Sequence, residues 1–343
     1  ADWPQWRGTG RNGVVSGSPA LADQWPEEGP RLLWRSGNVP SGGDGGYGSV
    51  VAVQGRVYAS LVWHRMVPLA TRTLDDQALK RLGWRKVDLP EALLAKMEKD
   101  RQALGPRLRG SKLNDWIKEW EEKNLTKPEW RKHRGWVAER FRKGKAAVAL
   151  ADLEQLAKSR GRKFDNAAAF MAWLAKEPLG EVVKKQVVSA VATQRKGGWD
   201  VLLCLDGGTG KEAWKFEEPS AAAGSRPSGT PCVSGGRVYF AGDRHVYSLD
   251  AKTGKLIWKT ELAGRPAAGS VLVIDDLVIL PAGNLMALEA KTGKMAWEQQ
   301  EVRAGNASPT AWHHKGRNCL LSNTGGEVAC VDARDGKVLW KAP

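Results

Sequence analysis

The chain of 343 residues holds only four cysteines and five histidines, and it has no Cys-x-x-Cys-His run, so no covalently attached haem is encoded. No apolar run approaches the ~20 residues that a membrane-spanning helix needs, and no secretory apolar core is present. The turn lysines Lys211, Lys255, Lys294 and Lys337 each follow a glycine but precede Glu, Leu, Met and Val, which excludes a phosphate-binding P-loop. His313-His314 is the one histidine pair, and adjacent residues on a strand face opposite ways, which argues against joint metal ligation. No Ser/His/Asp or paired-carboxylate constellation can be assembled, so the sequence nominates no catalytic residue and no metal ligand.

Tryptophan, by contrast, is abundant, with 17 copies. Four of them close a recurring unit of acidic residue, short turn, Gly-Lys and Trp. The units are Asp206…Gly210-Lys-Glu-Ala-Trp214, Asp250…Gly254-Lys-Leu-Ile-Trp258, Glu289…Gly293-Lys-Met-Ala-Trp297 and Asp332…Gly336-Lys-Val-Leu-Trp340. A repeat of about forty residues is the period of blade architectures. Three apolar runs precede each tryptophan, as a four-stranded antiparallel sheet requires; in the second unit they are Pro231–Val233, Gly236–Phe240 and His245–Leu249. Gly235-Gly236 divides the first two, and Gln54-Gly55, Asp275-Asp276 and Lys315-Gly316 are the equivalent turns. The acidic residue is expected to bond its own turn, and the glycine to supply a left-handed conformation. The tryptophan is expected to bury against the neighbouring blade with its indole N–H on backbone there.

These Asp-x-x-Thr-Gly-Lys-x-x-Trp units resemble the tryptophan-docking repeats of the pyrroloquinoline quinone (PQQ) propeller superfamily. That superfamily includes quinoprotein alcohol dehydrogenases and BamB-type outer-membrane assembly lipoproteins. The opening Trp3-Pro-Gln-Trp6-Arg-Gly-Thr-Gly-Arg-Asn-Gly13 is similar to the start of secreted, planctomycete-type PQQ-like proteins. The resemblance covers roughly 1–63 and 199–343. It implies an all-β fold, a β-propeller of four-stranded antiparallel blades, and a periplasmic or secreted location. It also raises PQQ with calcium as a cofactor. No two cysteines are adjacent here, however, where catalytic members often carry such a pair beside the cofactor.

Arg31-Leu-Leu-Trp34-Arg reads as an outer strand lacking its own inner strands, and Trp34 as the docking residue of a closing blade. On this reading the chain is a fragment of a six- to eight-bladed propeller with further blades beyond residue 343; a complete chain with an irregularly paired opening strand is the alternative. Cys204 and Cys330 occupy the position that Ser248 and Ala287 fill elsewhere, and the four cysteines are expected to be unpaired core thiols. The glycine-rich run Gly42–Gly48 is read as a flexible entry to an inner strand.

Between Trp63, taken as the end of the second strand of the first unit, and Trp199, the character changes. Residues 64–198 carry 31 Lys and Arg against 17 Asp and Glu, a net of +14, whereas the remainder is nearly neutral at +1. Leu113, Trp116, Ile117 and Trp120 lie on one helical face, and Thr126-Lys-Pro128-Glu129 reads as a capping box ahead of a helix with Trp130, Val137 and Phe141 on one side. Helices are also expected over 90–103, 147–159, 166–176 and 180–194, with Asp165 as a cap and Pro178 as a break. Together they predict a basic helical subdomain on one face of the propeller. Arg131, Lys132, Arg134, Arg140, Arg142, Lys143 and Lys145 form its densest positive stretch, a candidate docking surface for an acidic protein, an anionic glycan or lipid headgroups; nucleic acid is disfavoured by the compartment. The functional expectation is a non-catalytic binding or assembly scaffold in the cell envelope. The alternatives are a PQQ-dependent dehydrogenase with ligands partly outside this chain, and a carbohydrate-binding propeller.

Overall fold

The computed structural model describes every residue except 1, 16, 18–19, 21–22, 38, 40–47, 221–228, 263–268 and 305. All but the last glycine of the 42–48 run lies outside the described residues. Residues 1–66 with 196–343 make one compact unit, and residues 67–195 make a second.

The first sheet opens with β1 (Val51–Val53) and β2 (Arg56–Pro68), joined at Gln54-Gly55, where φ is +50° and +71°. Strand β2 thus runs five residues beyond Trp63. The helical unit follows: β3 (Arg72–Thr73), α1 (Asp76–Leu82), α2 (Glu91–Ala103), α3 (Gly110–Asn124), α4 (Lys127–Lys143), α5 (Leu150–Ala157), β4 (Lys163–Phe164), α6 (Ala167–Lys176) and α7 (Glu181–Ala190). The chain then returns with β5 (Gln194–Asp206) and β6 (Glu212–Ser220), completing a sheet ordered β1-β2-β5-β6.

Three further four-stranded antiparallel sheets follow in sequence order. They comprise β7 (Cys232–Ser234) to β10 (Leu256–Glu261) through β8 (Arg237–Ala241) and β9 (His245–Asp250), then β11 (Leu272–Ile274), β12 (Leu277–Ala282), β13 (Asn284–Glu289) and β14 (Met295–Gln299), then β15 (Thr310–His314), β16 (Arg317–Asn323), β17 (Val328–Asp332) and β18 (Val338–Ala342). The short first strands are neighbours, with β7 beside both β1 and β11, and β11 beside β15. This is a propeller-like arrangement of sheets, but the seven α-helices mean that the described chain is not purely all-β.

Apolar faces between successive sheets form the cores. Tyr58, Leu202 and Cys204 of the first sheet pack with Val238, Phe240 and Leu249 of the second, while Tyr239 and Val246 of the second pack with Val278, Leu280 and Leu288 of the third. All four cysteines are buried and free.

The helical unit has two cores of its own. One gathers Leu74, Leu79, Leu153, Leu156, Phe170, Trp173 and Val187; the other gathers Met97, Ile117, Trp120, Trp136, Val137 and Phe141. The Thr126 capping box forms at α4, with the Thr126 hydroxyl facing the Glu129 amide and the Glu129 carboxylate accepting from the Thr126 N–H at 2.7 Å.

Several expectations need correction. Residues 31–35 form no strand and pair with none among the described residues, and Leu32 and Leu33 are exposed. The cap of α6 is Asn166, which accepts from Ala169 N–H at 2.8 Å, rather than Asp165; the one-residue shift places the cap three positions before the amide it serves. Helix α7 stops at Ala190 and Gln194 begins a strand. Trp130 lies on the same side of α4 as Val137 and Phe141, but in the first turn of the helix it is 37 % exposed where they are buried.

Candidate functional site

In the sheet unit each repeat hairpin is closed by its own polar residues. Asp206 accepts from the amides of Gly208 and Thr209 at 3.1 and 2.9 Å and from the Thr209 hydroxyl at 2.9 Å. Asp250 repeats the pattern with Lys252 and Thr253, Glu289 takes the Thr292 hydroxyl at 2.5 Å, and Asp332 accepts from Arg334 N–H at 2.9 Å. Hydrogen bonds from Thr209 and Thr253 hold the Asp206 and Asp250 carboxyls below the usual range.

Every outer strand has a bulge one residue before its tryptophan. Trp214, Trp258, Trp297 and Trp340 pair with Cys204, Ser248, Ala287 and Cys330, and the register then slips. The extra residue adds twist and re-aims the ring. The indole N–H groups of Trp214, Trp258 and Trp297 donate to the carbonyls of Ala251, Ala290 and Ala333 in the next sheet at 3.2, 3.0 and 3.0 Å. Trp34 does the same on Gly207 at 2.8 Å.

The rings rest on the repeat glycines. A Cβ at Gly210, Gly254, Gly293 or Gly336 would lie 2.3, 2.6, 2.6 and 2.7 Å from Trp34, Trp214, Trp258 and Trp297, respectively. Each glycine also has φ of +70° to +75°. The turn chemistry read from sequence accounts for half of each glycine's role, and the neighbour's indole for the rest. Trp340 has the same cross-strand partner type but is 42 % exposed, against 9 % for Trp258, and contacts Trp312 edge-on at 6.4 Å.

A second repeat feature links the first strands. Ser49 N–H donates to the Thr230 hydroxyl at 2.9 Å, Thr230 N–H to Ser270 at 3.1 Å, and Ser270 N–H to Ser308 at 2.8 Å. The sequence signal is a small residue followed by Ser or Thr: Gly48-Ser49, Gly229-Thr230, Gly269-Ser270 and Ala307-Ser308. Backbone crowding explains the small residue, since a Cβ on Gly229 would approach the Gly269 carbonyl to 2.6 Å.

The opening motif crosses the same strands. Trp3 bridges to Ala52, Pro4 accepts from Val233 N–H at 2.8 Å, and Arg11 donates to the Val271 carbonyl at 3.0 Å. Arg11 is 2 % exposed, and burial lowers its guanidinium to about 10. Its other buried nitrogens, Nε and Nη2, have no acceptor, and Trp6 lies 5.4 Å away as a π partner.

Asp200, Asp243 and Asp332 are buried carboxyls of the unit. Asp200 accepts from the Asp243 amide and the Tyr247 hydroxyl, each at 2.9 Å, and its burial raises it to about 6. Burial likewise raises Tyr247, with the Asp200 charge adding to the effect. His313 and His314 take separate partners: His313 Nδ1 meets Asn318 at 2.9 Å, and His314 stacks on Trp312.

Among the described residues, no group of three His, Cys, Asp or Glu side chains stands where it could hold a metal ion. The buried donors at the first strands are hydroxyls engaged with neighbouring amides and one guanidinium on a carbonyl. Among the described residues, this set does not offer the carboxylate and amide oxygens that PQQ with calcium would need.

In the helical unit the seven candidate cations separate. Arg140 is 2 % exposed, which corrects its assignment to a surface: its guanidinium donates to Glu98 at 2.6 Å and to the Val148 carbonyl at 2.8 Å, inside the helical unit. Burial lowers its own proton affinity. For Glu98 burial pushes the carboxyl up, but Arg101 and Arg140 outweigh it and the net direction is down. Lys132 pairs with Asp88 and Lys143 with Glu139, the latter at 2.9 Å. Lys132 and His133 together hold Asp88 down at about 2. Arg131, Arg134, Arg142 and Lys145 are exposed and in no ion pair among the described residues.

Arg134 and Arg142 border a cavity of about 690 Å³ between α3 and α4, which sequence reasoning missed. Its signal was present as two facing stripes, Asn114, Ile117, Lys118, Glu121 and Glu122 on α3 with Leu125 just after it, and Trp130, Arg134, Ala138 and Arg142 on α4.

The family described as Outer membrane protein assembly factor BamB matches residues 198–343, and the repeats there are similar to those of PQQ-like proteins. Among solved structures, BamB from Moraxella catarrhalis is 19 % identical with a TM-score of 0.35, over 43 % of this chain and 46 % of that one. The quinohemoprotein alcohol dehydrogenase from Comamonas testosteroni is 18 % identical with a TM-score of 0.35, over 42 % of this chain and 33 % of that one. The computationally designed Ika8 protein is 17 % identical with a TM-score of 0.34, over 43 % and 45 %. The chain spans about a third to a half of the length of these structures. No curated protein matches it. Among the described residues no helix is long and apolar enough to cross a membrane.

Proposed function

We propose that the protein is a non-catalytic binding or assembly scaffold of the cell envelope, with PQQ-like sheets as the frame and the basic helical unit as the element that engages a protein partner. The observation that carries this reading is the division of polar groups between the units. In the sheets the repeat carboxylates, hydroxyls and indoles bond neighbouring backbone, whereas Arg131, Arg134, Arg142 and Lys145 of the helical unit are exposed and in no ion pair among the described residues. The matched family, an outer-membrane assembly factor by its description, supports both the compartment and a protein partner. The exposed Trp340 face of the fourth sheet is read as the seat of a further repeat, because the same residue docks on a repeat glycine in the preceding sheets.

The test uses the full chain with a photo-crosslinking amino acid at Lys145, or at Lys211 in a repeat turn, in an envelope extract. An acidic polypeptide cross-linked from position 145, absent from 211 and lost on charge reversal of Arg131 and Arg134, is the expected result. Saturable PQQ and calcium binding with dye-linked alcohol oxidation would contradict the scaffold reading.

A further inference from the structure

Resting on the reading that the helical unit is the binding element, we propose that the groove between α3 and α4 receives an amphipathic helix with acidic flanks, contributed by a partner protein. The two helices are consecutive, joined through Leu125 and Thr126, and their inner sides pack on Met97, Trp120 and Phe141. Ile117, Leu125 and Ala138 of the same core also line the seam between the helices, with residues spaced three and four apart from Asn114 to Glu122 on α3 and from Lys127 to Arg142 on α4. Such stripes face one way along a helix, so the groove runs for about three turns, ~16 Å at 1.5 Å per residue.

The floor is apolar apart from Glu121. Ile117, Leu125 and Ala138 are 3, 9 and 7 % exposed, and a Cβ added at Gly135 would meet no atom within 4 Å. Trp130 forms one wall, its indole donating to Glu121 at 3.1 Å. A trough left between two helices where Gly135 and Ala138 fill little space is the seat that a third helix fills by ridges-into-grooves packing.

The rim fixes the sign of the partner. Lys118, Lys127, Arg134 and Arg142 line it, against one exposed carboxylate, Glu122, which stands 3.9 Å from Lys118. Among the described residues Lys127, Arg134 and Arg142 are in no ion pair. Two of these are already positioned: the Arg134 guanidinium lies 4.2 Å from the Trp130 ring centroid, and Arg142 Nε donates to Asn114 at 3.2 Å. Holding the cations before binding lowers the ordering cost on association. Glu121, 7 % exposed in the floor, excludes an acidic residue from the centre of the docked face, so the acidic residues belong on its flanks. A lipid surface fits less well, because membrane-seeking helices present their apolar residues outward and here these are recessed below the charges.

The probe is an 18-residue fluorescein-labelled helical peptide with Leu and Ala on one face and Glu on both flanks, titrated into the full chain. A second peptide carries Lys in place of Glu. Saturable binding of the Glu peptide, at least tenfold tighter than the Lys peptide, is expected. Arg134→Glu with Arg142→Glu should weaken it about tenfold or more. Gly135→Leu should weaken it comparably while leaving the melting temperature unlowered, because it fills the groove and improves helix propensity. Equal binding of the two peptides, or binding indifferent to Gly135→Leu, overturns the proposal. So does an equal loss from Arg131→Glu with Lys145→Glu, which would keep a general basic docking surface and discard the groove. Sensitivity to Arg134 and Arg142 seen only with anionic phosphatidylglycerol vesicles would likewise overturn it in favour of lipid.

Discussion

The sheet unit and the helical unit use the same residue types for opposite ends. In the sheets a tryptophan is an inter-sheet fastener: Trp258 reaches the Ala290 carbonyl and covers Gly293, so ring, donor and glycine form one contact. In the helical unit Trp130 is a half-exposed wall that holds Arg134 flat and bonds Glu121. Charge divides the same way, with a net of +14 in residues 64–198 and near-neutrality elsewhere. The difference shows that repetition organises the frame, while exposed cations in no ion pair among the described residues stand where the repeat is interrupted.

The largest effect expected is at the fasteners. Trp258→Ala should cost about 3–5 kcal/mol, the range for deleting a buried aromatic side chain, and Trp340→Ala about 1 kcal/mol or less because its ring is already half exposed. Urea unfolding of the two variants checks this; equal losses would remove the distinction between docked and exposed rings.

Next in size is a pH effect confined to the sheets. Asp200 at about 6 when folded lies above the ordinary carboxyl near 4, so the folded state holds the proton between those values. Stability therefore falls as pH rises through that window, and the cost is fully present above about 6, on the order of 3 kcal/mol. Asp200→Asn removes the titration, and its melting temperature relative to wild type should rise from pH 4.5 to pH 7.5. A difference that stays constant across that range would show that Asp200 does not titrate there.

Much of the frame was legible because the repeat carries its own spacing. Asp206, Gly210 and Trp214 recur in phase, and turn chemistry explains the first two from sequence alone. That the glycine also seats the preceding sheet's tryptophan was not legible, because the contact joins residues about forty apart and depends on a bulge that no single residue announces. The Ser49, Thr230, Ser270 and Ser308 ladder was visible as a small residue before a hydroxyl, but such pairs are common and only the backbone approach gives them meaning.

In the helical unit, periodicity gave the helices but misplaced Arg140. A basic run on a helix winds around all faces, so its densest stretch must place some cation inward, and there Glu98 and the Val148 carbonyl meet it. The seven-residue α1 was too short for a periodic signal, although Asp75 caps it and Gly83 ends it at φ +103°. The α3–α4 groove required knowing which two stripes face each other, and that is a tertiary fact.

The comparison rests most directly on what glycine does in each unit, and one substitution tests both. Gly254→Ala puts a Cβ 2.6 Å from Trp214 at φ +72°, whereas Gly135→Ala puts one into open space within α4. Thermal unfolding of the full chain should show Gly254→Ala lowered by roughly 5 °C or more and Gly135→Ala unchanged or raised by a few degrees. Equal shifts in the same direction would contradict the account that indole-on-glycine contacts hold the sheets while the α3–α4 groove stands open.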